Sequence, residues 1–320
     1  MPISLRRGVV TAVLERHEGL ARIEVDGTAC VAYPRLTGPV ALGDEVLVNV
    51  QARELGLGTG GFDVLYANLT RGLGLAAEPG AHVMKLPYTP VQTAVRHAEE
   101  EGSLATTLDG MPVACCSLHS QVAPVCAALA GLRVAYAQLP GGALPVSLSD
   151  TVRALRERGL VEVTIAVGAC FDGDVQCVTA ASALAWAAAK GFDVVVCGIG
   201  PGIAGTGTAL GHGGLAAADA ANAASAFGGR PVIAARVSQA DERERHQGVS
   251  HHTEAVLGLC LGAVRVADPA DGEGWREACA GLPLEHMGRG PDDDPSFFEA
   301  AYAAGVLARN LAGADKVRPR

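Results

Sequence analysis

The sequence predicts an α/β protein: a doubly wound, mostly parallel sheet of about six strands, preceded by a small all-β domain. Three observations carry this. From about residue 110 onward, apolar runs alternate with helix-period segments. Each run is continuous rather than alternating, as strands covered on both faces require. The first ~67 residues differ: their short β-branched stretches are punctuated by Gly, Pro and Asp. At 320 residues and 49% hydrophobic, the chain can bury a large core and a smaller one. The expected division is a β-barrel-like domain over 1–67, a linker and lid-like segment over 68–109, and the α/β domain over 110–320.

In the first part, "RRGVVTAVLE", "LARIEVDG", "TACVAYP" and "DEVLVNV" read as strands, and Asp26-Gly27 between two of them predicts a type I′ hairpin turn. "FDVLYANL" closes this domain. In the linker, "AHVMKLPYTPVQ" holds Lys85, one of three lysines, and Pro90 would open a helix there. The second part starts with "MPVACCSL" and a helix burying Val122, Val125, Cys126 and Leu129. "LRVAYAQL" follows, then a helix with Ser149 as N-cap and Gly159 past its end. "EVTIAVGAC" leads to the helical "VQCVTAASALAWAAAKG", and "DVVVCGIG" to a glycine-rich loop and an Ala-rich helix. "PVIAARVS" leads to "SHHTEAVLGLCLG", then "AVRVADP" and a last helix, "PSFFEAAYAAGVLARNL".

Composition excludes several classes. Net charge is −9 and no basic block tracks a phosphate backbone, so nucleic acid is not an expected partner; the tail "DKVRPR" reads as a frayed end. No apolar stretch reaches the ~18 residues of a membrane span, and the start lacks a signal-peptide core. Nine cysteines with no C-x-x-C read as thiols in a reducing compartment, and the expected location is the cytoplasm.

In open parallel sheets ligands bind outside the carboxyl ends of the strands. There the sequence places His119 and Gln121 after the first strand, Cys170, Asp172 and Asp174 after the third, and Thr206, Thr208 and His212 after the fourth. His251 and His252 follow the fifth. The loop "GIGPGIAGTGTALGHGG" has eight glycines in seventeen residues. Its G-x-G-x-x-G at Gly200, Gly202 and Gly205 follows a strand, but the helix begins only near Gly213 and the next strand ends without an acid, so NAD is not expected. A looser reading is an anion cradle of backbone N–H groups with Thr206 and Thr208 hydroxyls, to which Lys85, His119 and Gln121 would add. The competing reading is a structural loop, or one that lets two copies approach as a homodimer. "GVSHHTEAV" reads as a helix start capped by Ser250, where the dipole keeps His251 and His252 neutral and available as bases, with His212 as a third candidate. Asp172 and Asp174 are either a D-x-D holding Mg²⁺ or an Asp-Gly turn with Asp174 capping the next helix. Cys170 as nucleophile, with His212 or His251 as base, is a further candidate.

"HVMKLPYTPVQ", "LHSQ", "FDGD", the glycine loop and "VSHHTEAVL" together resemble a bacterial family catalogued as domain of unknown function 3866. The resemblance spans nearly the whole chain and implies no particular activity. Two functional readings stand. One is an enzyme performing hydrolysis or group transfer on a small anionic metabolite bearing phosphate or carboxylate. The other is a non-catalytic ligand-sensing or scaffold protein.

Overall fold

A computed structural model describes residues 3–57 and 60–316. The remaining positions, and with them most of the tail read as a frayed end, lie outside the described residues. The chain divides into two compact units, residues 1–96 and 97–320.

The first unit is a closed five-stranded barrel of β1 (Leu5–His17), β2 (Leu20–Val25), β3 (Thr28–Ala32), β4 (Glu45–Asn49) and β5 (Asp63–Asn68), with single helical turns α1 (Pro34–Thr37) and α2 (Gln51–Glu54) between strands. The order around it is β1-β2-β3-β5-β4, antiparallel except at β3·β5. Its interior is filled by residues such as Val10, Ile23, Cys30, Val46, Val48 and Leu65. The expected hairpin turn is there: Asp26 has φ 48° and Gly27 φ 74°, positive at both central residues. The lid-like segment is different from its expected form. β6 (Val83–Lys85) and β7 (Thr93–Val95) pair antiparallel across Leu86–Gln92, so Pro90 lies in a hairpin turn and opens no helix. Leu86 and Tyr88 take positive φ to make that turn. Both strands fall in the first unit, while residues 97–109 fall in the second.

The second unit holds β8 (Pro112–Cys116), α3 (Val122–Ala128), β9 (Val134–Leu139), α4 (Asp150–Glu157), β10 (Val163–Val167), β11 (Val175–Cys177), α5 (Ala180–Ala189) and β12 (Val194–Ile199). It continues with α6 (Ala216–Ala226), β13 (Arg230–Ala234), β14 (Val237–Ser238), β15 (Gly248–Val249), α7 (His251–Leu259), β16 (Arg265–Val266), α8 (Trp275–Ala278) and α9 (Pro295–Lys316). The main sheet has seven strands in the order β11-β10-β9-β12-β8-β13-β16, and every pair is parallel. The seventh strand, β11, is three residues long and was merged in the sequence with the helix after it, which placed Cys177 on a helix rather than a strand. That helix, α5, is capped by Thr179 and not by Asp174.

Successive strand residues face opposite sides of the sheet, and each side is buried. Ala114, Cys116, Tyr136, Val196 and Val232 pack under α3, α4 and α9. Val113, Cys115, Ala135, Ile165, Val195 and Ile233 pack under α5, α6 and α7. Small residues set the spacing: a Cβ on Gly305 of α9 would stand 2.4 Å from the Val125 carbonyl of α3. Ser149 caps α4 as expected, accepting from the Val152 amide at 2.9 Å, and Gly159 follows the helix with φ 67°.

The glycine loop after β12 lies on the loop after β9. A Cβ on Gly213 would meet the Gly141 carbonyl oxygen at 1.9 Å, and one on Gly200 the Ala143 carbonyl oxygen at 2.1 Å. These glycines permit backbone-to-backbone packing. By contrast a Cβ on Gly27 meets nothing within 4 Å and costs only the strain of positive φ. Gly213→Ala is therefore expected to lower unfolding free energy by about 3 kcal/mol or more, and Gly27→Ala by about 1–2 kcal/mol. Urea denaturation of both variants checks the order; equal losses would contradict it.

Candidate functional site

The site is assembled where β12, β8 and β13 end side by side. β8 sends the chain to β9 on one side, whereas β12 and β13 send it the other way, to β13 and β16. Such divergence opens a crevice at the carboxyl edge of the sheet.

From β12 comes His212. The glycine loop folds into a small hairpin: Gly205 bridges His212, Thr206 donates its amide to the Gly211 carbonyl at 2.6 Å, and Gly213 donates to Ala204 at 2.7 Å. A Cβ on Gly214 would stand 2.6 Å from the Ser117 carbonyl at the end of β8, so the bare glycine lets His212 settle there. From β13 comes Arg236, whose amide donates to Thr253 Oγ1 and whose carbonyl accepts from the Ser250 amide, both at 2.9 Å. This stitches the start of α7 to the end of β13. The segment between them is an excursion closed at its base by antiparallel β14·β15, and it carries Asp241, Arg243 and His246 back to the helix start.

Ser250 caps α7 as expected, accepting from the His252 amide at 3.2 Å. Its hydroxyl also meets His246 Nδ1 at 2.7 Å. Four imidazoles then crowd together. His212 and His252 stack with centroids 3.6 Å apart, His251 and His252 lie at 4.5 Å, and His246 lies at 4.8 Å from His251 and 4.9 Å from His252. His212 is only 6% exposed and His252 8%. Burial is the main force holding every one of these rings below the ordinary histidine value: His246 down to about 4, His252 to about 3, with His212 and His251 also lowered. The Arg236 charge pushes all four the same way; at His212 the Ala209 carbonyl acts in the opposite direction and more strongly than Arg236, but burial outweighs it. The rings are neutral at pH 7.

Arg236 is 3% exposed and donates to Asp241 Oδ2 at 3.0 Å, while its Nη1 lies 3.4 Å from His252 Nδ1. Asp241 also accepts from Arg243 (2.8 Å to each oxygen) and from Arg289 at 3.3 Å. These bonds, above all the one to Arg243, hold its carboxyl well below the usual carboxylate range. His286 adjoins this group, stacked on Phe297 at 3.8 Å and within 3.2 Å of Ser120 Oγ, and burial takes it down to about 3. Several polar atoms here have no hydrogen-bond partner among the described residues: both nitrogens of His212, Nε2 of His251, Nε2 of His286 and Nε of Arg236.

Of the sequence-predicted residues, the structure thus brings together His212, His251 and His252. Others have structural work. His119 Nδ1 donates to the Ile199 carbonyl at 3.0 Å, so its Nε2 accepts from the Ser149 hydroxyl at 2.7 Å, and burial pushes the ring to about 4. Gln121 donates to the Ala234 carbonyl at 2.8 Å and accepts from the Leu118 amide at 3.0 Å. The Thr206 and Thr208 hydroxyls bond to each other at 2.9 Å, and Thr206 also donates to Gly211. Gly202 has φ 69° with open space around it, and Gly205 packs on His212. Lys85 is buried in the β6–β7 hairpin of the first unit. Asp174 neither caps a helix nor faces solvent freely: it accepts from the Thr164 amide and hydroxyl (2.8 and 2.9 Å) and from Arg156. Asp172 makes a tight turn with φ 68°. Cys170 is fully buried, and among the described residues no disulfide forms.

Sequence reasoning missed His246, Arg236, Asp241 and His286. The first and third lie in "ADERERH", where the density of Arg beside a His was the available signal.

Fold and site define a class: a two-unit α/β protein with a histidine-rich polar centre at the carboxyl edge of an all-parallel sheet. The chain belongs to the family described as protein of unknown function (DUF3866), whose model matches residues 29–278. That span includes all four clustered histidines and leaves out His286. No curated protein matches the chain. Among the described residues, no helix is long and apolar enough to cross a membrane.

Two outcomes follow from the charge states. His119, His246, His252 and His286 are lowered from 6.5 to about 3–4, so below pH 6.5 the unfolded chain takes up protons that the folded chain refuses. Their contribution to stability is complete above pH 6.5 and is lost as pH falls toward 4, at up to about 1.4 kcal/mol per ring per pH unit. Urea midpoints measured from pH 7.5 to 4.5 check this; a flat profile would count against neutral buried rings. Asp241→Asn leaves Arg236 buried without its counter-charge and should cost about 3–5 kcal/mol at pH 7. Because the carboxyl is depressed in the fold, its stabilisation is present at neutral pH and is lost only well into acid. The wild-type and Asp241→Asn stability curves should therefore converge as pH falls below about 4.

Proposed function

We propose that this protein is an enzyme performing hydrolysis or group transfer on a small anionic metabolite, with the histidine cluster as its reactive centre. The single observation that carries the reading is the set of buried, neutral imidazoles with idle nitrogens beside a buried arginine. A buried polar atom without a partner costs about 1–3 kcal/mol. Several such atoms in one place mark a site kept ready for a group from outside. His212 supports the role of general acid–base: neutral, it offers one donor and one acceptor, and although the Ala209 carbonyl lies close, neither nitrogen completes a hydrogen bond among the described residues. Arg236, with Nε idle, supplies a positive charge for a phosphate or carboxylate. The glycine loop serves this reading chiefly as the carrier of His212; many of its amides are already spent on the hairpin and on the loop after β9. Nine cysteines without a disulfide fit work in a reducing compartment, which we take to be the cytoplasm.

The test is a panel of phosphorylated and carboxylated metabolites incubated with the protein and followed by mass spectrometry, alongside thermal shift. Turnover of one class by the wild type should fall about 100-fold or more in His212→Ala, while the melting shift given by that metabolite persists. Stabilisation by a metabolite with no turnover of any would instead make the chain a ligand-binding protein.

A further inference from the structure

We propose that His246, His251 and His252 form the binding site of one divalent transition-metal ion of the zinc class. This rests on reading the cluster as a centre for an outside group, but not on turnover.

The three rings each offer a nitrogen, and these nitrogens all lie within 4.8 Å of one another. Among the described residues this is the one group of three or more His, Cys, Asp or Glu placed to hold an ion. Three imidazoles around zinc at 2.0–2.1 Å stand about 3.3 Å apart. Ring rotations bringing the nitrogens about 1–1.5 Å closer would close the set. The existing bonds also select the ligating atoms. His246 Nδ1 is taken up by Ser250 at 2.7 Å, which leaves its Nε2. Arg236 Nη1, a donor, lies 3.4 Å from His252 Nδ1, so ligation through His252 Nε2 requires that ring to turn its Nδ1 away from Arg236 and carry its proton there. His251 Nε2 is buried and without a hydrogen-bond partner.

The support around the rings is of the kind metal ligands require. Ser250 is fully buried, and its one hydroxyl orients the His246 ring through Nδ1 while accepting from the His252 backbone amide, which fixes the helix start that carries His251 and His252. Arg236, the cation nearest His252, is offset by Asp241 at 3.0 Å. The donor set is all imidazole, which suits zinc, nickel, copper or iron and not magnesium or calcium, whose ligands are oxygens. Three protein ligands leave a fourth tetrahedral position open. His212, stacked on His252 at 3.6 Å and 6% exposed, lies beside the three rings but outside the group whose nitrogens converge. Asp172 and Asp174 have no part in this site.

The test titrates metal-stripped protein with Co²⁺, whose visible absorption reports tetrahedral coordination, and then displaces it with Zn²⁺. One equivalent per chain is expected. His251→Ala and His252→Ala should each weaken binding at least about tenfold. His251 is half-buried in the first turn of α7, so its variant should keep a wild-type urea midpoint within error, and that measurement separates lost ligation from lost fold. His17→Ala, in the barrel, should bind as wild type does. Absence of stoichiometric binding of either ion, or full binding retained by folded His251→Ala, would overturn the site. Stoichiometric binding without turnover of any metabolite would uphold the site and remove the enzymatic reading.

Discussion

The carboxylate of Asp241 is the interaction on which the carboxyl edge of the sheet depends. It is 2% exposed and receives Arg236, Arg243 and Arg289, which come from three different stretches of chain. One arginine buried alone would cost several kcal/mol, and the pair repays that only as further hydrogen bonds are made. On the Asp241 side both oxygens are bonded, while Arg236 keeps Nε without a partner among the described residues. Asp241 also donates its amide to Ser238, and Ser238 in turn donates to the fully buried Asp294 at the head of α9. The end of β13, the excursion to His246 and the entry to the last helix are therefore held by one network. Loss of any member leaves another buried charge or dipole unmatched.

With Arg236 fixed, the histidines can be crowded. Charged imidazolium rings at centroid distances of 3.6–4.9 Å would repel strongly, in a place where water cannot screen them. Burial removes the conflict by keeping the rings neutral, and Arg236 reinforces it. A cluster of neutral imidazoles is stable within the fold yet leaves ring nitrogens of His212 and His251 without a hydrogen-bond partner among the described residues. The positive end of the α7 dipole acts in the same direction on His251 and His252.

The small-residue character of the chain belongs to the same design. Helices rich in Ala and loops rich in Gly approach the sheet and each other closely, as at Gly305 against Val125 and Gly213 against Gly141. Close approach brings the loops after β9, β12 and β8 into contact, and their contact sets where His212 stands. The glycine-rich stretch thus acts through geometry. Its glycines make room for a backbone, and its one histidine is what that room delivers.

Much of this was legible from local patterns. The division into a β-rich start and an alternating α/β remainder, the Asp26-Gly27 turn, and the Ser149 and Ser250 caps all rest on interactions spanning a few residues, so neighbouring letters suffice to determine them. The candidacy of His212, His251 and His252 came from the same rules, together with the tendency of parallel sheets to bind at their carboxyl edge. Tertiary structure alone decided that β8 lies between β12 and β13, and therefore that His212 meets His252. It also decided that β14·β15 closes an excursion, so that His246 and Asp241 return to the start of α7. His119 and Gln121, which their place after the first strand makes ligand-binding candidates, hold the carbonyls of Ile199 and Ala234, 80 and 113 residues away. Strand order and long-range pairing are set by the packing of whole faces, a property of the folded chain that no short window of sequence contains.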